Sequence, residues 1–155
     1  MNQSKRIDPL LRRAQEHEDA VARDLAERQR LLDTHLSRLD ELRRYAEEYA
    51  NAQMAATSPA QLLNRRAFLD RLDSAVEQQQ RTVDGNREKV EAERARLILA
   101  SRDKAVLEQL AASYRAQEKV VTDRRDQREM DDIGARRARL AQAEDQDGAD
   151  TGARS

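Results

Sequence analysis

The stretch of sequence that decides how this chain folds is NAQMAATSPAQLLNRRAFL, residues 51–69. It carries little charge in a sequence that is 38% charged. One of only two prolines, Pro59, lies in this stretch directly after Ser58. The run SPAQ at 58–61 has the S-x-x-Q form of a capping box, with proline at the first helical position. The stretch therefore predicts that one helix ends around residues 52–56 and that a second helix begins at Pro59.

The overall composition favours long helices over a compact core. Aromatic residues make up 3% of the 155 residues and the mean hydropathy is −1.01, so an ordinary globular core is not expected. Strong helix formers dominate, and there are only four glycines and two prolines. The 29 basic and 30 acidic residues are interleaved along the chain, which indicates solvated helix faces. The sequence therefore predicts no nucleic-acid partner, since that requires a clustered basic surface.

Few residues could carry chemistry. There is no cysteine, and no apolar run approaches the ~20 residues of a membrane span or resembles a signal peptide. The two histidines, His17 and His35, would lie about 27 Å apart along one helix, too far to share a metal ion. No catalytic or phosphate-binding motif occurs. We therefore expect a soluble, cytoplasmic protein that is not an enzyme and has no cofactor or metal.

Apolar residues recur at alternating steps of four and three along both predicted helices, which is the period of a coiled coil. In the first helix ten of fourteen such positions are apolar: Ile7, Leu11, Ala14, Glu18, Val21, Leu25, Arg28, Leu32, His35, Leu39, Leu42, Ala46, Tyr49 and Gln53. In the second helix one series is Leu69, Val76, Val83, Val90 and Leu97. Its companion series is Leu72, Gln79, Asn86, Glu93, Ala100, Leu107, Tyr114 and Val121. The phase is unshifted across Gly85, so we expect a continuous helix there, with a second turn as the alternative.

A short connection makes two helices antiparallel neighbours, so the predicted fold is all-α, with two long helices in an antiparallel coiled-coil hairpin. Asp8-Pro9 repeats the helix-start signal of an N-cap followed by proline. The predicted organisation is a flexible N-terminus at 1–8, helix one at 9–55, a turn at 56–61, helix two at 62–142 and a disordered polar tail at 143–155. Helix two would extend beyond helix one by about thirty residues.

Three motifs carry a resemblance to a known family: LRRYAEEY at 42–49, LLNRRAFLDRLDSAV at 62–76 and DRRDQREMDD at 123–132. In order, spacing and total length they resemble the flagellar FliJ family, soluble coiled-coil components of the bacterial type III export apparatus. The resemblance implies a stalk that inserts into the hexameric ring of the export ATPase FliI and that contacts the export gate protein FlhA. It also implies binding of export chaperones and a peripheral location on the inner membrane at the flagellar base.

The resemblance further implies a gate-binding surface, which comprises Leu42, Tyr45, Tyr49, Phe68, Leu72 and Ala75. Arg38 and Gln79 occupy two further positions of this surface, and there the sequence departs from the family's pattern. The spacing of these residues marks an apolar stripe beside the seam, which is either a wider core or a partner surface.

A second surface, for the ATPase ring, comprises Arg124, Asp126, Gln127, Met130 and Asp131. A solvated charged helix is the alternative interpretation of this segment. Three other functions stay open for the whole chain: an escort of empty export chaperones, the equivalent stalk of an injectisome, and a plain structural coiled coil such as a homodimeric spacer.

Overall fold

The computed structural model describes residues 2–52 and 58–152, apart from the side chain of Thr151. These residues form two α-helices, α1 (Gln3–Asn51) and α2 (Pro59–Gly152), and within the described ranges there is no strand. The predicted all-α class is confirmed, and α2 continues through Gly85. Of the predicted turn at 56–61, residues 56 and 57 lie outside the described residues, and α2 already includes residues 59–61.

The start of α2 follows the predicted capping signal. The N–H of Gln61 donates to Ser58 Oγ at 3.2 Å, and Pro59 is the first helical residue. An N-cap hydroxyl of this kind supplies an acceptor to one of the N–H groups that have no partner within the first turn.

The chain divides into two compact units. The terminal unit comprises Met1–Leu10 and Val106–Ser155, and the central unit comprises Leu11–Ala105. Each unit contains part of α1 and part of α2.

The two helices pair in antiparallel order within each unit. In the central unit Glu18 contacts Lys104, His35 contacts Gln79, and Tyr49 contacts Phe68, so residue numbers fall along α2 as they rise along α1. In the terminal unit Ser4 contacts Glu118 and Asp8 contacts Arg115, in the same order. These contacts are those of a helical hairpin, as the sequence predicts.

The buried side chains lie on the predicted seam. The core residues are Ile7, Val21, Leu39, Leu72, Val83, Val90, Ala100 and Ala111. All belong to the predicted series except Ala111, which continues the seven-residue repeat that ends at Leu97 in the prediction. The prediction that Val121 lies on the seam is wrong: its side chain is 61% exposed, because α1 begins opposite Glu118 and has no residue to cover it.

The N-terminus differs from the prediction of a flexible segment at 1–8. Helix α1 begins at Gln3 and contains Pro9, whereas the sequence predicts a helix that starts at Pro9. Contacts with α2 account for the difference, because Ile7 is buried and Ser4 is hydrogen-bonded to Glu118. They compensate for the backbone hydrogen bond that Pro9 cannot donate.

The C-terminus also differs from the predicted disordered tail. Helix α2 includes residues 143–152, and residues 153–155 lie outside the described part of the chain. The segment holds no proline, and extending an existing helix does not repeat the unfavourable nucleation step. Every described side chain from Lys119 to Gly152 is exposed, and we call residues 119–152 the exposed segment of α2. Within the described residues neither helix is apolar enough over a sufficient length to span a membrane.

Candidate partner-binding surfaces

Three aromatic side chains meet where the end of α1 lies against the start of α2. The ring centroid of Phe68 lies 4.6 Å from that of Tyr49, with the ring planes at 62°. It lies 6.3 Å from that of Tyr45, with the planes at 86°. Edge-to-face pairs at these separations are attractive, because the positive edge of one ring meets the negative face of the other. The structure therefore brings together the aromatic members of the predicted gate-binding surface.

Solvent reaches the six residues of this surface to different extents. Tyr45 is 50% exposed, whereas Leu72 is 8% exposed and belongs to the core. The other four are half-buried: Leu42, Tyr49, Phe68 and Ala75. A partner can touch Tyr45 directly, but it can be affected by Leu72 only through the packing of neighbouring side chains. Within this stripe Leu72 is therefore part of the core, whereas half of the surface of Tyr45 is open to solvent.

An open groove lies beside Tyr45. It has a volume of about 360 Å³ and is lined by Arg38, Glu41, Leu42, Tyr45 and Gln79. The groove therefore includes both positions at which the sequence departs from the family's pattern. It also includes Glu41, which the sequence analysis did not single out. A leucine and a tyrosine beside one charge of each sign suit an apolar side chain flanked by polar groups.

Gln79 is engaged in a polar layer of the seam. Its Nε2 donates to the backbone oxygen of His35 at 2.9 Å and lies 3.3 Å from His35 Nδ1. Both side chains are half-buried, and the hydrogen bond compensates for their partial loss of hydration. The polar side chain of His35 is tolerated on the seam because Gln79 lies opposite it on α2. A polar pair of this kind favours one register of the two helices.

Arg65 caps the C-terminal end of α1 beside the aromatic cluster. Its Nη2 donates to the carbonyl oxygens of Ala52 at 2.9 Å, Ala50 at 3.1 Å and Tyr49 at 3.5 Å. Carbonyls at a helix C-terminus have no partner in the helix and carry partial negative charge, so a cation there is favourable. The last turn of α1, which the structure describes, contains no basic residue of its own. This role of Arg65 could not be predicted from the sequence, because no local pattern distinguishes it from the many other arginines.

The residues predicted to contact the ATPase ring all lie on the exposed segment of α2. Met130 is 68% exposed, and Gln127 donates to Asp131 at 3.1 Å within the helix. Arg124, Gln127 and Asp131 share one helix face by their spacing, and Asp126 and Met130 lie on a neighbouring face.

The exposed segment also carries an apolar stripe that was not predicted from the sequence. Ile133 and Leu140 are 46% and 66% exposed, and they lie on the same face as Met130. The three side chains form a short stripe on an otherwise highly charged helix. The signal in the sequence was the three-then-seven spacing after Met130, which continues no heptad of the main seam.

Over residues 2–52 and 58–152 there is no group of three or more His, Cys, Asp or Glu side chains that could hold a metal ion. The arrangement offers apolar contact, aromatic faces and exposed charge, which are the means of protein recognition.

Comparison with known proteins identifies one family. The model of a family described as flagellar FliJ protein matches residues 3–143, a range that includes both candidate surfaces. No curated protein and no solved structure matches the chain.

Proposed function

Because this chain belongs to the flagellar FliJ family, a family of flagellar export components, we propose that it is a non-enzymatic stalk of the type III export apparatus. In this role the exposed segment of α2 inserts into the hexameric ring of the export ATPase FliI. The surface around Tyr45 contacts the export gate protein FlhA. The observation that carries the proposal is that α2 continues past α1 with every described side chain in residues 119–152 exposed.

The apolar stripe of the exposed segment supports insertion into a partner. Met130, Ile133 and Leu140 lie on one face of a helix that α1 does not cover. Exposed apolar side chains on one helix face are typical of a protein interface. The charged residues around them would meet polar groups at the rim of such an interface.

A stalk of this kind acts through binding alone. One helix, or one pair of helices, has no six-fold symmetry and therefore cannot contact six ring subunits equally. Contact with some subunits and not others would bias those subunits toward one conformation, in proportion to the difference in affinity between the conformations. No bond is made or broken by the stalk itself.

The ring contact is tested by measuring ATP turnover of the purified export ATPase with and without this protein. We expect turnover to rise when the wild-type protein is added, and the protein alone to have no activity. The double variant Met130→Glu, Ile133→Glu should lose most of the stimulation. The matched control is Ile98→Glu, Leu99→Glu, which changes two side chains that are 56% and 55% exposed on the same helix. Unchanged turnover with the wild-type protein, or equal loss in both variants, contradicts the proposal.

A second candidate function, the escort of export chaperones, is favoured by two further exposed side chains. Leu62 and Leu63 are 53% and 69% exposed near the start of α2 and belong to neither surface described above. We expect Leu62→Asp, Leu63→Asp to abolish capture of purified export chaperones and to leave stimulation of the ATPase intact. Chaperone capture that survives this double variant excludes the two leucines as the escort site.

A further inference from the structure

The first residues of α1 lie on the far side of a proline. Residues 3–8 precede Pro9, which is inside the helix. Proline has no N–H, so the hydrogen bond that residue 9 would donate to the Lys5 carbonyl cannot form. Asp8-Pro9 is also the sequence of a helix start, with aspartate as N-cap and proline at the first helical position. The local sequence thus favours a helix that begins at Pro9, whereas α1 begins at Gln3.

Contacts with α2 account for the additional turn. Ser4 Oγ donates to Glu118 Oε2 at 2.7 Å, and the Ser4 N–H donates to Glu118 Oε1 at 3.1 Å. Asp8 Oδ1 lies 3.7 Å from Arg115 Nη2, in an ion pair whose two side chains are both exposed. Ile7 is 5% exposed and is the apolar contribution of this segment to the core.

Glu118 takes the place of an N-cap residue from the opposite helix. The first N–H groups of a helix have no partner within it, and the described first turn of α1 contains no acidic residue. The hydroxyl and the N–H of Ser4, with a further contribution from the N–H of Gln3, favour the carboxylate form and lower the pKa of Glu118. The same carboxylate supplies the negative charge that the N-terminal end of a helix favours.

We propose that residues 3–8 form a latch with two states. In the closed state Glu118 caps α1 at its first turn and Asp8 pairs with Arg115. In the open state the helix begins at Pro9, Asp8 becomes its N-cap, and residues 3–8 leave α2. Asp8 has a role in both states, and Pro9 is the boundary between the part that moves and the part that stays helical.

Opening the latch would uncover the face of α2 around Arg115 and Glu118, the residues that the segment contacts. This face directly precedes the exposed segment, so the open state lengthens the part of α2 that another protein can contact. That consequence rests on the proposed function, since it requires a partner for the exposed segment. The latch itself does not depend on any partner.

Amide hydrogen exchange of the full chain, resolved by residue with NMR, tests the latch without a partner. The reporters are the amides of Ile7 and Asp8, which donate to the carbonyls of residues 3 and 4 only while the first turn of α1 is helical. We expect Glu118→Gln to increase their exchange rates about tenfold, because a neutral amide is a weaker acceptor than a carboxylate. Amides from Arg13 onward should keep the wild-type rate, since a helix that begins at Pro9 retains their hydrogen bonds.

Three further variants separate the two states. Asp8→Asn keeps an N-cap residue but removes the ion pair with Arg115, so it should also accelerate exchange at residues 7 and 8. Pro9→Ala restores the missing N–H donor at residue 9 and should slow amide exchange at residues 7 and 8. The control is Asp40→Asn, which removes an exposed ion pair with Arg44 far along α1 and should change none of these rates.

Two results overturn the latch. Exchange at Ile7 and Asp8 that is unchanged in Glu118→Gln shows that the carboxylate does not hold the segment. Acceleration that spreads equally past Arg13 shows that Pro9 is not a boundary. Because ATP turnover is not measured in these experiments, failure of the latch and failure of the stalk function are distinguishable.

Discussion

Two side chains of α2 lie at opposite ends of α1, each with the charge that the helix end favours. Glu118 accepts hydrogen bonds from the first turn, and Arg65 donates to the last carbonyls. These residues could not be predicted from the sequence, because capping signals are local whereas Ser4 and Glu118 are 114 residues apart in the chain. Tyr45 and Phe68 could be predicted as a pair by their position in two apolar stripes, but the stripes do not reveal which of the two is exposed.

Alanine substitutions at Tyr45 and Phe68 should separate recognition from packing. Tyr45→Ala should weaken binding to the purified gate protein by about tenfold with little change in the free energy of unfolding, since half of its surface is exposed. Phe68→Ala should weaken binding and also lower the free energy of unfolding, because the ring packs against both tyrosines. Calorimetric titration measures the affinity for the gate protein, and urea unfolding measures the free energy of unfolding.

The control for this pair is Leu31→Ala, which removes an exposed side chain of α1 outside the groove. Leu31→Ala should change neither the affinity for the gate protein nor the free energy of unfolding appreciably. If Tyr45→Ala lowers the unfolding free energy as much as Phe68→Ala does and binding is retained, the stripe is core and the gate-binding surface lies elsewhere.

Glu118 should make the stability of the chain depend on acid pH. The folded chain lowers the pKa of this carboxyl below its ordinary value of 4.5, chiefly through the Ser4 hydroxyl. A lowered pKa means that the carboxylate stabilises the fold above pH 4.5 and that this contribution is lost as the pH falls through the folded-state pKa. The difference in unfolding free energy between wild type and Glu118→Gln should therefore be constant near neutral pH and shrink below pH 4.5. A difference that persists undiminished in acid would show that the charge is not responsible.

At the scale of the helices, the seven-residue repeat and the start of α2 at Pro59 could be predicted from the sequence, whereas the start of α1 and the end of α2 could not. The repeat depends on burial along one face, which every turn of a helix pair enforces. Ala100 and Val83 are accordingly buried as predicted. The start of α1 depends instead on what α2 offers opposite it, so the local signal at Asp8-Pro9 is overridden. Polarity predicts a disordered tail at 143–155, but polarity alone does not exclude the extension of an existing helix.

Two valines from the predicted seam give a direct test of where the seam ends. Val83 is fully buried, so Val83→Ala should lower the free energy of unfolding by about 2 kcal/mol. Val121 is 61% exposed and lies beyond the start of α1, so Val121→Ala should change the free energy of unfolding by less than about 0.5 kcal/mol. Urea unfolding followed by circular dichroism measures both. Equal losses would mean that another chain or segment covers α2 at Val121.

At the scale of the whole molecule, the pairing of α1 with α2 separates a hairpin from a homodimeric spacer. In each unit, residues of α1 contact residues of α2 in the same chain, as a hairpin requires. Composition and period alone could not make this distinction, because a two-chain coiled coil requires the same seam. The turn signal at Ser58-Pro59 favours the hairpin, since a chain that reverses there supplies its own partner helix.

Intramolecular pairing predicts behaviour that does not depend on concentration. Sedimentation equilibrium should give a mass of 17.8 kDa over a wide range of protein concentration, and the melting temperature should not rise with concentration. A homodimer loses its partner on dilution, so its apparent mass and its melting temperature would both fall. Since the exposed segment of α2 carries an apolar stripe, the measurement should be repeated with Met130→Glu, Ile133→Glu. Weak association that disappears in this variant would belong to the exposed segment, whereas association that persists would contradict pairing within a single chain.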